Sequence, residues 1–221
     1  MRSIAKLMKD WQFTGPNGVT TAVELPHTWN ARDGQDGGND YWRGCCTYCT
    51  RFAAPVYDPA QQQVWLQFEG VNASAAVLLN GQQLCTHDGG YSTFRAEVTE
   101  LLQAENQLTV RVDNSVNDRV YPQKADFTFY GGIYRDVSLL VVNKNHIALG
   151  HFGDTGVKIT PTLKENSADI QVETLVEGEG TVTVELLDAE GRTAAKGEGE
   201  NAFLHLDAPH LWNGIKDPYL Y

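Results

Sequence analysis

The chain has 221 residues, long enough for two small domains or one large β-domain, and carries a formal charge of −11 with an isoelectric point near 4.9. Its 17 Lys and Arg against 28 Asp and Glu leave no basic stripe to neutralise phosphates, which argues against a nucleic-acid partner. No apolar run approaches the roughly 18 residues that a membrane helix needs, residues 1–10 lack an apolar stretch of signal-peptide length, and a cytoplasmic location is the expectation.

In chain order, the first patterned segments are Leu25-Pro26-His27-Thr28-Trp29-Asn30 and the loop Asp33–Gly44, rich in Gly, Asp and Asn. That loop composition fits a polar surface loop as readily as a binding loop. A calcium site competes, but the spacing lacks the fixed glycine and closing glutamate of a helix–loop–helix calcium site. A strand is predicted over Gly44–Phe52, which sends the thiols of Cys46 and Cys49 to opposite faces. With Cys85 in another strand and no second Cys pair, the four cysteines are expected as free thiols, neither disulfides nor zinc ligands.

From Gln63 the period is two: Val64, Leu66 and Phe68 alternate with Trp65, Gln67 and Glu69. Leu79-Asn80-Gly81-Gln82 predicts a hairpin, because Asn-Gly tolerates the positive φ of a type I′ turn. A short helical turn is expected near Val98–Gln103, and Leu108, Val110 and Val112 form a further strand ended by Asp113-Asn114-Ser115. In Tyr130-Gly131-Gly132-Ile133-Tyr134-Arg135-Asp136-Val137, adjacent glycines supply conformations that a side chain forbids. Val137, Leu139 and Val141 then predict a strand with one face in a core. Arg135 and Asp136 are expected as a buried ion pair holding the domain against its neighbour, since breaking such a pair is costly.

A second unit is predicted to begin at Asn143-Lys144-Asn145-His146. Val157/Ile159, Ile170/Val172 and Val182/Val184/Leu186 mark short strands, and residues 197–200 a solvated hairpin tip. Such spacing suggests an immunoglobulin-like sandwich. The whole chain is therefore expected to be all-β.

Candidate chemistry is sparse. His87 beside Asp88 lacks the Gly-x-Ser-x-Gly elbow of a nucleophilic triad, His27 is expected as a satisfied interior histidine, and Glu69, Glu97 and Glu100 as solvated carboxylates. The five tryptophans are expected mostly as core or interface rings, with Trp42 able to offer a face to a sugar.

Three motifs, Tyr130–Val137, Leu25–Asn30 and His87-Asp88-Gly89-Gly90-Tyr91-Ser92-Thr93-Phe94, together resemble glycoside hydrolase family 2, the family of β-galactosidases, β-glucuronidases and β-mannosidases. The resemblance is strong over 24–142 and looser over 146–221. It implies a jelly-roll-like, galactose-binding-type sandwich over 1–143, followed by an immunoglobulin-like sandwich over 144–221. It also implies that Leu211–Tyr221 closes the second sandwich, with a catalytic barrel further along. Glycoside hydrolysis needs two flanking carboxyl groups; in the family these sit on the barrel, so no catalytic residue is expected here. Asp126, six residues before Gly132, matches the aspartate that β-galactosidases of the family direct into the sugar subsite beside a monovalent cation; a turn-capping aspartate is the alternative. Asp40, Tyr41 and Arg43 match a loop that reaches toward the sugar. β-Galactosidase is the expected parent activity, with β-glucuronidase, β-mannosidase or an autonomous lectin-like module as alternatives. No cofactor is expected of the segment itself, only a monovalent or divalent cation in the intact enzyme. The implied partners are a β-linked sugar, the barrel of the same chain and further copies in a homo-oligomer.

Overall fold

Alternating burial runs through about half of the strands of the computed structural model, which describes residues 2–33, 42–121 and 128–221. Two compact units are present, Met1–Asn143 with His151–Gly153, and Lys144–Gly150 with Asp154–Tyr221.

In the first unit the strands are β1 (Ser3–Lys6), β2 (Trp11–Thr14), β3 (Thr20–Val23), β4 (Cys45–Ala53), β5 (Gln62–Phe68), β6 (Val71–Asn72), β7 (Ser74–Leu79), β8 (Gln82–Asp88), β9 (Phe94–Glu97), β10 (Glu105–Asp113), β11 (Gly132–Ile133) and β12 (Val137–Asn143). They form a four-stranded sheet ordered β1-β12-β5-β9, a six-stranded sheet ordered β3-β2-β4-β10-β7-β8, and a short β11–β6 ribbon. The pairing is antiparallel throughout. Val64, Leu66 and Phe68 of one sheet meet Tyr48, Val77, Leu108 and Val110 of the other in a single apolar core, with Trp11 fully buried beside them. Burying such side chains contributes roughly 1.5–3 kcal/mol each, which is why the period-two pattern fixes which face points inward.

Asn80 and Gly81 turn β7 into β8 with φ of 52° and 83°, the I′ geometry that their sequence predicts. A single 3₁₀ turn occupies Thr99–Leu101. All four cysteines are free. Cys46 points into the core, Cys49 away from it, and burial pushes the Cys46 thiol up to about 12, which leaves it unreactive.

Around β12 one sequence expectation is exceeded and one fails. Val137, Leu139 and Val141 lie in the core as expected, and Ser138, Leu140 and Val142 on the opposite face are buried as well. Arg135 and Asp136 do not pair with each other. Adjacent residues on an extended chain point apart, so Asp136 meets Lys6 at 2.5 Å while the exposed Arg135 donates from Nη1 to the carbonyls of Tyr91 and Glu69.

His151–Gly153 belongs to the first unit. His151 Nδ1 donates to the Arg95 carbonyl at 2.7 Å and Arg95 N–H donates back to the His151 carbonyl at 2.7 Å. His87, stacked on Phe94 with centroids 4.3 Å apart, meets the His151 ring edge-on at 6.1 Å.

The second unit comprises β13 (His146–Ile147), β14 (Val157–Leu163), β15 (Ser167–Thr174), β16 (Val176–Glu177), β17 (Thr183–Leu187), β18 (Thr193–Glu198) and β19 (Asn201–Asp207). A β14-β15-β19 sheet and a β17–β18 hairpin enclose a small core of Ala168, Ile170, Val172, Ala202 and Leu204. On β14, Ile159 and Leu163 pair opposite Val172 and Ala168 and so share their face, yet they are 63% and 58% exposed. Trp212 of the closing segment is 64% exposed.

Candidate functional site

Loops at one end of the first unit converge on a buried amide. Asn30, with no exposed surface, uses both amide protons and both lone pairs. Its Nδ2 donates to Asp33 Oδ2 at 2.7 Å and to the Trp42 carbonyl at 2.9 Å. Its Oδ1 accepts from Gly131 N–H at 2.7 Å and from Asn114 Nδ2 at 3.2 Å. Asn114, also buried, accepts from Gly44 N–H at 2.9 Å and donates to the Phe129 carbonyl. Thr28 Oγ1 donates to the Gly131 carbonyl at 2.8 Å. The two asparagines thus tie Thr28–Asp33, Trp42–Gly44, the end of β10 and Phe129–Gly132 together. The paired glycines make this approach possible: a Cβ on Gly131 would lie 2.1 Å from the Trp29 ring, and one on Gly132, at φ 140°, would lie 2.4 Å from the His27 carbonyl.

Beside this clasp lies a recess of about 450 Å³ lined by Asn72, Tyr91, Thr128, Tyr130 and Tyr134. Each wall is held from behind. Tyr134 donates its hydroxyl to the Gly90 carbonyl and carries the Arg135 guanidinium 5.3 Å from its ring centroid. Arg135 also fixes the Tyr91 carbonyl at 3.1 Å, and Asn72 Nδ2 fixes that of Tyr130 at 2.8 Å. Gly90 must lack a side chain, because a Cβ there would meet Asn72 Oδ1 at 2.2 Å. Burial raises the Tyr134 hydroxyl above its ordinary value, so it stays protonated and donating. The described lining presents aromatic faces, hydroxyls and one amide, and no carboxylate.

Of the residues expected to bind sugar, Asp40, Tyr41 and Asp126 lie outside the described residues. Arg43 is described: half-buried, it sits over the Phe129 ring at 5.3 Å and shares Asn72 and Tyr91 as neighbours with the tyrosine recess. Trp42 is 38% exposed, with its ring edge-on to Trp29 at 6.0 Å. His27 pairs with the Tyr48 hydroxyl at 2.7 Å, and burial lowers its pKa, as fits an interior histidine. Sequence reasoning missed the roles of Asn30, Asn114, Tyr91, Tyr130 and Tyr134. Most stand inside the signature motifs, yet nothing in their spacing says that they meet.

A larger recess of about 770 Å³ lies on the outer face of the six-stranded sheet near Asp88, Arg111, Asp113 and Arg119. Its described lining has no aromatic ring, and Arg119 already engages Asp88 at 2.7 Å, holding that carboxyl below the usual range. Among the described residues no group of His, Cys, Asp or Glu is arranged to hold a metal ion.

The first unit is an antiparallel sandwich with clasped loops beside an aromatic recess, and the second is a smaller all-β unit, which together define an all-β protein of the sandwich class. Residues 39–163 match the family model described as "Glycosyl hydrolase 2 galactose-binding domain-like", and the chain belongs to that family. A β-glucuronidase of Bacteroides fragilis is 32% identical over 97% of this chain, which covers 34% of that relative. Two crystal structures are each 33% identical over 99% of the chain: an FMN-binding β-glucuronidase from Faecalibacterium prausnitzii L2-6 (TM-score 0.90) and a putative β-galactosidase from Bacteroides fragilis (TM-score 0.89). The chain covers 36% and 37% of those two chains, so it spans about a third of the length of these relatives.

Proposed function

We propose that the chain serves as the N-terminal, non-catalytic region of a family 2 glycosidase, where its clasped loops complete the pocket for the terminal sugar of a β-glycoside. The observation that carries this reading is the match of 97% of the chain to about a third of a β-glucuronidase, over the motifs that build the clasp. A β-glucuronide is at least as well supported as the β-galactoside expected from Asp126, since β-glucuronidases stand among the relatives that cover nearly the whole chain. The galactoside remains a second reading because a putative β-galactosidase has the same fold at TM-score 0.89.

The test is a paired assay with 4-nitrophenyl β-D-glucuronide and 4-nitrophenyl β-D-galactoside. The native protein carrying this chain hydrolyses one of them in strong preference, and the isolated 221 residues hydrolyse neither. Turnover by the isolated chain, or none by the native protein, overturns the reading. Asp126→Asn in the native protein is expected to weaken both turnover and sugar affinity, and an unchanged rate removes that residue from the subsite. The four free cysteines support a cytoplasmic location, which cell fractionation would check.

A further inference from the structure

The tyrosine recess is walled chiefly by aromatic rings. A sugar is recognised through its hydroxyls, and each buried one needs a donor or acceptor, since an unpaired buried polar group costs about 1–3 kcal/mol. Here the Asn72 amide nitrogen is committed to the Tyr130 carbonyl and the Tyr134 hydroxyl to the Gly90 carbonyl. Beside these two groups the lining offers aromatic surface, with Tyr91 51% and Tyr130 39% exposed. Aromatic rings on an anchored backbone have few rotatable bonds to order when a second ring stacks on them, so little of the binding energy is consumed in ordering the site. The volume, about 450 Å³, lies within the range of roughly 300–1,000 Å³ typical of small-molecule sites, enough for a ring or two. The recess also adjoins the loops already argued to serve the sugar: Thr128 and Tyr130 flank Phe129, which lies under Arg43, and Gly131 follows in the clasp.

We propose that the recess walled by Tyr91, Tyr130 and Tyr134 is an aglycone subsite, accepting the flat, largely apolar ring that a β-glycoside carries as its leaving group. This rests on the reading of the chain as part of a β-glycosidase and names the class of substrate: aryl and fused-ring glycosides over alkyl glycosides. Tyr91 and Tyr130 would be specificity-determining residues, while Asn72, Gly90 and Arg135 position them.

The experiment has two arms. In the first, the 221-residue chain with labelled tyrosines is titrated by NMR with phenyl β-D-glucuronide, phenyl β-D-galactoside and their methyl counterparts. The expected result is saturable shifts of tyrosine ring signals with the phenyl compounds alone, lost in Tyr130→Ala and Tyr91→Ala. Tyr130→Leu, which keeps apolar bulk without a ring face, is expected to bind roughly 2- to 10-fold more weakly. Equal shifts with methyl glycosides, or none with phenyl glycosides, overturn the proposal. In the second arm, kcat/KM of the native protein is compared for phenyl and methyl glycosides of its preferred sugar. Tyr130→Leu is expected to lower the phenyl value through KM by a larger factor than the methyl value; equal losses on both overturn the aglycone assignment. Absence of all hydrolysis with ring binding retained would sink the glycosidase reading and leave the ring site standing, so the two failures are distinguishable.

Discussion

Asn30 makes four side-chain hydrogen bonds from a position with no solvent contact, so its replacement cannot be repaired by water. Asn30→Ala strands the Gly131 N–H and frees Asn114, and we expect it to destabilise the chain by about 2–3 kcal/mol in urea unfolding. A loss below about 0.5 kcal/mol would show that the clasp is not needed to hold these loops. The roles of Asn30 and Asn114 were not legible in the sequence for a physical reason. Asparagine in a loop usually bonds its own backbone, and only long-range geometry shows that these two bond across separations of 84 and 101 residues. His87 makes a second expectation at this scale. It is 4% exposed, its Nε2 faces the Gly89 carbonyl and Ser92 Oγ, its Nδ1 is buried without a hydrogen-bond partner, and burial lowers its pKa. The unfolded imidazole takes up a proton near pH 6.5 while the folded one resists until lower pH. Stability from this group is therefore complete above the unfolded value and is lost as pH falls below it. Burial lowers His27 in the same direction, whereas Asp169 raises the exposed His205 and opposes the trend. Unfolding free energies measured from pH 8 to pH 5 should decline, and decline less in His87→Asn; an identical slope in the variant would remove His87 from the account.

Strands whose two faces meet different surroundings were readable from alternation. β5 and β10 bury Val64, Leu66, Phe68, Leu108, Val110 and Val112 as their period demands, and the Asn80-Gly81 turn falls where its residues require it. β12 was readable as a strand but not as a doubly buried one, since Ser138 satisfies the polar half of the pattern while lying inside. The tyrosine recess was illegible because Asn72 reaches it from β6 and Tyr91 and Tyr130 from two separate connections, and sequence spacing carries no information about which segments meet. β14 shows the opposite discrepancy: its pattern promises a buried face, and Ile159 and Leu163 are left largely exposed on an edge strand. Such a row of apolar side chains beside unpaired backbone groups invites association. Replacing both with Thr is expected to change stability by no more than about 0.5 kcal/mol per site while reducing self-association in sedimentation. Undiminished association would show that another surface is responsible.

At the scale of the molecule, the two units rest on unequal cores. The first has a continuous apolar layer between two sheets, the second five fully packed side chains, Ala168, Ile170, Val172, Ala202 and Leu204. Cooperative unfolding of the whole chain in one step is therefore not expected. Hydrogen exchange should reach β15 and β19 well before β4 and β10, and coincident exchange would refute independent stability. The return of His151–Gly153 to the first unit has a practical corollary for anyone dissecting the gene. A stop codon after Asn143 looks natural on a linear map, yet it would strip the β9 edge of its borrowed backbone partner and bare the aromatic stack of His87 on Phe94. Ending the first half at Gly153 keeps that suture closed, at the cost of removing β13 from the half that follows.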